Sequence, residues 1–282
     1  MRRLKRVYLY LVTLIESWDV IGLLFAINWA LHCIGHIFRI PWPGVWRVRP
    51  RQALYPLTVR LQGSSDLNVL SAIYVLQEYK RVRNLRDVTT VVDLGANVGF
   101  SSAFFLSSFP NSRVFAVEPD KNNFEVCRAN LRPYGERAVL LHGAVWSECT
   151  TLDLDPRENR GWATKVVKSA DPNGGSIQAW DMITLIEKTG SPCIDLLKID
   201  IERAELAVFG IAAKEWLPGV RNICIELHGD DCRKVFFDAL SDFDYDLDHY
   251  DELTICRNIF PKGSSASSHG ALAVKGCDSI TS

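Results

Sequence analysis

With 282 residues, 48% of them hydrophobic and 23% charged, the chain has the composition of a globular protein with a sizeable core, which excludes a disordered, collagenous or many-spanning membrane chain. The formal net charge of -1 conceals an asymmetry: residues 1–60 hold nine Lys/Arg against Glu16 and Asp19, net +7, so the remainder carries -8. The eight cysteines show no CxxC pair, metal-finger spacing or secreted disulfide framework, so reduced thiols in a cytoplasmic protein are expected.

In chain order, MRRLKR leads into an apolar stretch, and from Val20 to Phe38 no formal charge occurs, a length at the lower limit for a membrane span. Asn28, His32 and His36 recur every four residues and Arg39 extends the stripe, the periodicity of a helix with one wet face. Its apolar face suits a bilayer, an anionic lipid surface (a peripheral membrane contact through residues 1–40), its own domain or a partner; basic residues on both flanks give no orientation. No small-residue cleavage site follows it. PWPGVWRVRP, residues 41–50, cannot continue a helix and reads as a linker, so residues 1–53 form an extension and linker.

From residue 54 the pattern alternates between short apolar runs and helical stretches. LYPLTVRL precedes a helix from Asp66 to Tyr79; VTTVVDLGANVG, a helix through Phe105; RVFAVEP, a helix from Asn122 to Asn130; then comes AVLLHGAVW. Strands apolar on both faces alternating with helices predict an α/β, Rossmann-like domain with a mainly parallel central sheet. The polar residues 151–180 read as an insertion or hairpin before a helix from Trp180 to Glu187. IDLLKIDI and NICIELH supply two more buried strands around a helix from Ala204 to Trp216, and after a helix from Asp231 to Leu240 DYDLDHYDELTICRN reads as closing antiparallel strands. The domain is thus expected over residues 54–260, with a disordered Ser/Gly-rich tail over 261–282.

Four places carry chemistry. In VVDLGANVGFSS a buried strand ends at Asp93, and Gly95 and Gly99 open the following helix, where open α/β sheets bind cofactors. Ala96, Asn97 and Val98 separate the glycines, so this is not the dinucleotide fingerprint GxGxxG, which counts against an NAD-dependent oxidoreductase. Glu118 ends the next strand in VFAVEPD, placed to accept hydrogen bonds from both hydroxyls of a ribose. Lys198 and Asp200, like Glu226 and His228, are two apart at strand ends, so each pair projects to one side of the sheet. A buried carboxylate there needs a ligand, a metal, a neighbouring group or a salt bridge with Lys198.

Taken together, PLTVRLQGSSDLNVLSAIYVLQEY, VVDLGANVGFSS, VFAVEPDKNNFEVCRANL, LLHGAVW, IDLLKIDIERAE and ICIELHGD resemble the FkbM-type S-adenosylmethionine-dependent methyltransferases over residues 56–250. The resemblance implies a class I methyltransferase fold with S-adenosyl-L-methionine as cofactor. Asp93, Gly95, Ala96, Asn97 and Gly99 would surround its methionine part, Glu118 and the adjoining Pro119 its ribose, and Gly143, Ala144 and Val145 its adenine. It also implies methylation of a hydroxyl on a small-molecule or glycan acceptor: a sugar, a glycolipid or a secondary metabolite. Arg203 departs from the pattern, which has Gly at this place; a bulky cation there is expected to reshape the acceptor pocket or to bind an anionic acceptor.

A sulfonium methyl group is already activated, so the protein has to align an acceptor oxygen and remove its proton. His228, Asp200 and Glu226 are the candidate bases, His228 first because its ordinary pKa is near neutrality. Alternatively the three hold a divalent cation that acidifies the hydroxyl. No nucleic-acid partner is expected, because the domain is acidic and shows no basic stripe with interleaved aromatics. A non-catalytic cofactor-binding module is the rival from another class.

Overall fold

The computed structural model describes residues 44–61, 63–154, 166–168, 177–210 and 212–263. The expected N-terminal helix and the tail beyond residue 263 lie outside the described residues. β1 (Val45–Val48) pairs antiparallel with β2 (Leu57–Arg60), Val45 opposite Arg60 and Val48 opposite Leu57. Residues 45–48 are therefore a strand and not the expected linker: the neighbouring prolines fall outside the paired residues, and Trp46 and Val48 pack on the core. α1 (Asp66–Tyr74) ends short of Tyr79, because Gln77 takes a left-handed φ of 54° that starts a separate 3₁₀ turn over Glu78–Arg81.

The central sheet is built from β3 (Thr90–Leu94), β4 (Arg113–Glu118), β5 (Ala138–His142), β10 (Leu196–Ile199), β11 (Ile223–Glu226), β12 (Phe243–Tyr250) and β13 (Leu253–Pro261). Its order is β12-β13-β11-β10-β3-β4-β5. The five strands from β11 to β5 run parallel, and β13 is antiparallel to both β11 and β12. The chain winds from β3 outward to β5 and returns to β10 on the other side of β3, which makes the β3/β10 boundary the topological switch point. This is the expected class I methyltransferase architecture, and the two closing antiparallel strands stand where the alternation of DYDLDHYDELTICRN puts them.

Helices cover both faces because the strands are apolar on both sides. On one face α2 (Phe100–Ser108) buries Phe100, Phe104 and Phe105, and α3 (Lys121–Leu131) buries Cys127 and Leu131. Each such phenylalanine contributes about 1.5–3 kcal/mol on burial. On the other face lie α4 (Met182–Thr189), α5 (Glu205–Val208), α6 (Ala213–Trp216) and α7 (Asp230–Ala239). There Phe209 meets Phe236 edge to face with ring centroids 5.0 Å apart. The single helix expected over 204–216 is two short ones, separated around Gly210, where helix continuation is costly.

A smaller sheet, ordered β6-β9-β7-β8, contains β6 (Ala144–Val145), β7 (Thr150–Leu154), β8 (Val166–Lys168) and β9 (Ile177–Trp180). The run AVLLHGAVW is thereby divided at Gly143: β5 stays in the central sheet, and β6 pairs with β9, Val145 opposite Trp180. Trp180 ends β9 and does not open the helix; Asp181 caps α4, its Oδ1 accepting from the Thr184 N–H at 2.7 Å.

Candidate functional site

One cleft opens at the carboxyl edge of β3, β4 and β10, enclosing about 540 Å³ with its mouth included. Gly95, Asn97, Glu118, Pro119, Gly143, Ala144, Val145 and Asp200 line it, so eight of the residues singled out from the sequence come together there. Asn123, Ile201 and Glu202 also line it.

Gly95 has φ +76°, and a Cβ at this position would collide with the Asp200 carbonyl oxygen, so the two strand ends approach this closely only with glycine. Glu118 is 3% exposed and divides its oxygens between two backbone donors: the Asn97 N–H to Oε2 at 2.8 Å and the Asp120 N–H to Oε1 at 2.9 Å. Burial pushes its carboxyl up to about 7, against the lowering effect of those N–H groups. Each oxygen keeps a lone pair for a further donor. Asn97 Oδ1 is buried in the cleft wall with no hydrogen-bond partner.

Three residues expected around the methionine part are not at the cleft surface. Asp93 is fully buried opposite Lys198 in the strand register; its Oδ1 lies 3.1 Å from Lys198 Nζ, and its Oδ2 accepts from the Ser101 and Ser102 hydroxyls at 2.6 Å each. Lys198 donates onward to the Gly95 carbonyl at 2.7 Å. Burial works to lower the Lys198 pKa, but Asp93, Asp200 and Glu78 together raise it, so Lys198 is cationic and with Asp93 braces the β3–α2 turn from behind. The salt-bridge alternative for Lys198 is the observed one. Ala96 is buried, and Gly99 caps α2 at φ +81°, pressed against Cys127. These residues shape the turn by packing.

Asp200, Glu226 and His228 form a cluster in which one ligand atom from each lies within 4.8 Å of the others. His228 Nε2 stands 3.7 Å from Asp200 Oδ1, 3.6 Å from Glu202 Oε2 and 3.8 Å from Glu226 Oε1, while Nδ1 meets the buried Glu205 Oε1 at 2.8 Å. Burial lowers the His228 pKa, but Glu205, followed by Asp200 and Glu202, raises it well above the ordinary value. The raised pKa favours the cationic imidazole at neutral pH, the form in which the ring lone pair carries a proton. Burial, and then Asp200, pushes Glu226 up.

Glu202, Glu205 and Glu78 were not singled out from the sequence. Glu202 and Glu205 are three apart in IERAE, but only the fold turns them toward His228. Glu78, on the turn after α1, is brought within electrostatic reach of Asp200, and burial, then Asp200, pushes it up to about 7. No local signal marks it.

Glu202 and Arg203 have φ values of 51° and 76°, a left-handed backbone that accounts for the family's glycine. The Arg203 guanidinium donates to the His228 carbonyl at 2.9 Å and pairs with Asp231. It joins the loop after β10 to the loop after β11 and is not among the residues that line the cleft.

No cationic side chain lines the cleft among the described residues; its polar groups are carboxylates, amides and backbone. That set suits a ligand rich in donors and carrying positive charge, such as the ribose diol, ammonium and sulfonium of S-adenosylmethionine. It suits the pyrophosphate of NAD poorly.

Residues 93–253 match the family described as the methyltransferase FkbM domain. Over 60 residues the chain is 33% identical to a ribosomal RNA small subunit methyltransferase H of Corynebacterium glutamicum, covering 21% of this chain and 18% of that protein. Over 178 residues it is 27% identical to methyltransferase sdnD of Sordaria araneosa, covering 51% and 68%. The chain thus spans about a fifth of the length of the first curated relatives it matches. A solved methyltransferase of Geobacter sulfurreducens aligns at 18% identity with a TM-score of 0.37, covering 82% of this chain and 90% of that one. With the strand order, the cleft at the switch point and a match over more than half its length in agreement, the chain belongs to the FkbM methyltransferase domain family.

Proposed function

We propose that the chain is an S-adenosylmethionine-dependent methyltransferase that methylates a hydroxyl on a sugar, a glycolipid or a secondary metabolite. One observation carries this: Glu118 at the end of β4 and Asp200 just past β10 line a single cleft that has no cationic side chain among the described residues. When bound, S-adenosylmethionine supplies a methyl group activated by its sulfonium leaving group. Glu118 accepts from the ribose diol, Asn97 Oδ1 takes a donor, and Gly95 leaves room for the methionine part. Asp200, which among the three candidate bases is the one that lines the cleft, takes the proton from the acceptor hydroxyl. His228, held through Nδ1 by Glu205, turns Nε2 toward Asp200 and orients it. The surrounding carboxylates disfavour a polyanionic nucleic-acid acceptor.

The protein should be thermally stabilised by S-adenosylmethionine or S-adenosylhomocysteine and not by NAD; the opposite pattern sinks the proposal. Incubating cell extracts with isotopically labelled methyl donor, followed by mass spectrometry, should yield a labelled glycan, lipid or metabolite. On that acceptor Asp200→Asn should keep cofactor binding and lose about 10²-fold or more in turnover. The clustering of Asp200, Glu226 and His228 favours a second reading, in which a divalent cation acidifies the hydroxyl. Turnover abolished by a chelator and restored by Mg²⁺ or Mn²⁺ would select it.

A further inference from the structure

Asn123 lies in the first turn of α3, is 4% exposed and lines the cleft. Its backbone N–H is taken by the capping Asp120 at 2.8 Å. Its side-chain Oδ1 accepts from Arg60 Nη2 at 2.7 Å. A guanidinium can only donate, so the amide orientation is dictated: the oxygen faces Arg60 and the NH₂ group faces elsewhere. That Nδ2 has no hydrogen-bond partner among the described residues. A side chain in the first turn leans toward the helix N-terminus, here the cleft beside Glu118 and Pro119.

Arg60 is itself held firmly. Its Nε and Nη2 bond the two oxygens of the buried Asp66 at 3.0 and 2.8 Å, and its backbone N–H donates to the same carboxylate at 2.8 Å. Asn130 ties β2 to α3, accepting from the Thr58 N–H at 2.7 Å and donating to the Val98 carbonyl at 2.9 Å. Arg60 and Asp66 lie outside residues 93–253, which match the family.

We infer that Asn123 is a cofactor-binding residue that donates from Nδ2 to an acceptor atom of the nucleoside, a ribose oxygen or an adenine ring nitrogen, and that Arg60, held by Asp66, is the positioning residue that keeps the amide turned this way. This rests on the cofactor reading above. Glu118 offers the nucleoside only acceptors when ionised, and Asn123 adds the complementary donor. Together they recognise a group that both gives and takes hydrogen bonds.

The test measures S-adenosylhomocysteine binding by calorimetry, with the melting temperature of the ligand-free protein as a folding control. Asn123→Asp keeps an acceptor for Arg60 and removes the donor; it should weaken binding about tenfold or more while leaving the folded protein intact. Arg60→Lys keeps a cation beside Asp66 but loses the fork, and should weaken binding in the wild-type background. In an Asn123→Ala background it should add nothing, which a merely structural role would not produce. Wild-type affinity in Asn123→Asp overturns the donor role. An equal loss from Arg60→Lys in both backgrounds overturns the positioning role. If wild-type protein fails to bind S-adenosylhomocysteine, the cofactor reading itself falls; binding that is lost in Glu118→Ala and kept in Asn123→Asp removes the inference alone.

Discussion

Glu118 combines a buried carboxyl, two backbone N–H partners and a cleft surface, and the balance of these gives it a pH signature. Its folded pKa, about 7, stands above the ordinary 4.5, so between these values the folded state binds more protons than the unfolded one. Stability should therefore fall as pH rises from about 4.5 to 7, by on the order of 3 kcal/mol, and Glu118→Gln should flatten that slope in denaturant titrations. Cofactor affinity should run the other way, weakening as pH drops below 7, because a protonated carboxyl loses acceptor capacity toward a ribose diol. Gly95→Ala should abolish cofactor binding, since the Cβ meets the Asp200 carbonyl; calorimetry would show it. Gly95, Glu118 and Asp200 were legible as single letters because each ends or follows an apolar strand. That Asp93 is buried against Lys198 across the sheet cannot be known from spacing along the chain.

At the scale of elements, α3 shows how a local device serves the cleft. Asp120 caps the helix through the Asn123 N–H, and the Asp120 N–H in turn supports Glu118. Asp120→Ala should cost about 1 kcal/mol in unfolding free energy and also weaken cofactor binding, because the backbone that presents Glu118 and Asn123 loosens. Urea titrations with and without S-adenosylhomocysteine separate the two effects. The buried parallel strands could be read from their continuous apolar runs, and α3 and α7 from their periodicity. Segments under tertiary control could not. Residues 45–48 sit in a Pro-rich stretch that reads as a linker, yet Trp46 and Val48 find a core to pack on; AVLLHGAVW is one apolar run, yet its second part finds β9.

Across the whole molecule the +7 of the first 60 residues is less uniform than its sum. Arg60 belongs to the domain, locked to Asp66, whereas Arg47 lies within β1 and Arg49 and Arg51 in the loop that joins it to β2. Removing residues 1–43 should leave the melting temperature nearly unchanged, while removing residues 1–53 should lower it by several degrees, because the second deletion takes β1 from β2. Among the described residues no helix is long and apolar enough to cross a membrane, and the apolar stretch from Val20 to Phe38 lies outside them. If that stretch contacts an anionic surface, full-length protein should co-sediment with anionic vesicles and the 1–43 deletion should not. The sequence by itself determined the fold class, the alternation of strands and helices through the central sheet, and the residues at three strand ends, because buried strands and glycine turns are written in local composition. Tertiary structure alone decided which carboxylates surround His228 and make it cationic, that Asp93 and Lys198 neutralise each other, and that Arg60 turns the Asn123 amide. These depend on groups far apart in the chain brought within a few ångströms, where burial and charge set protonation and direction.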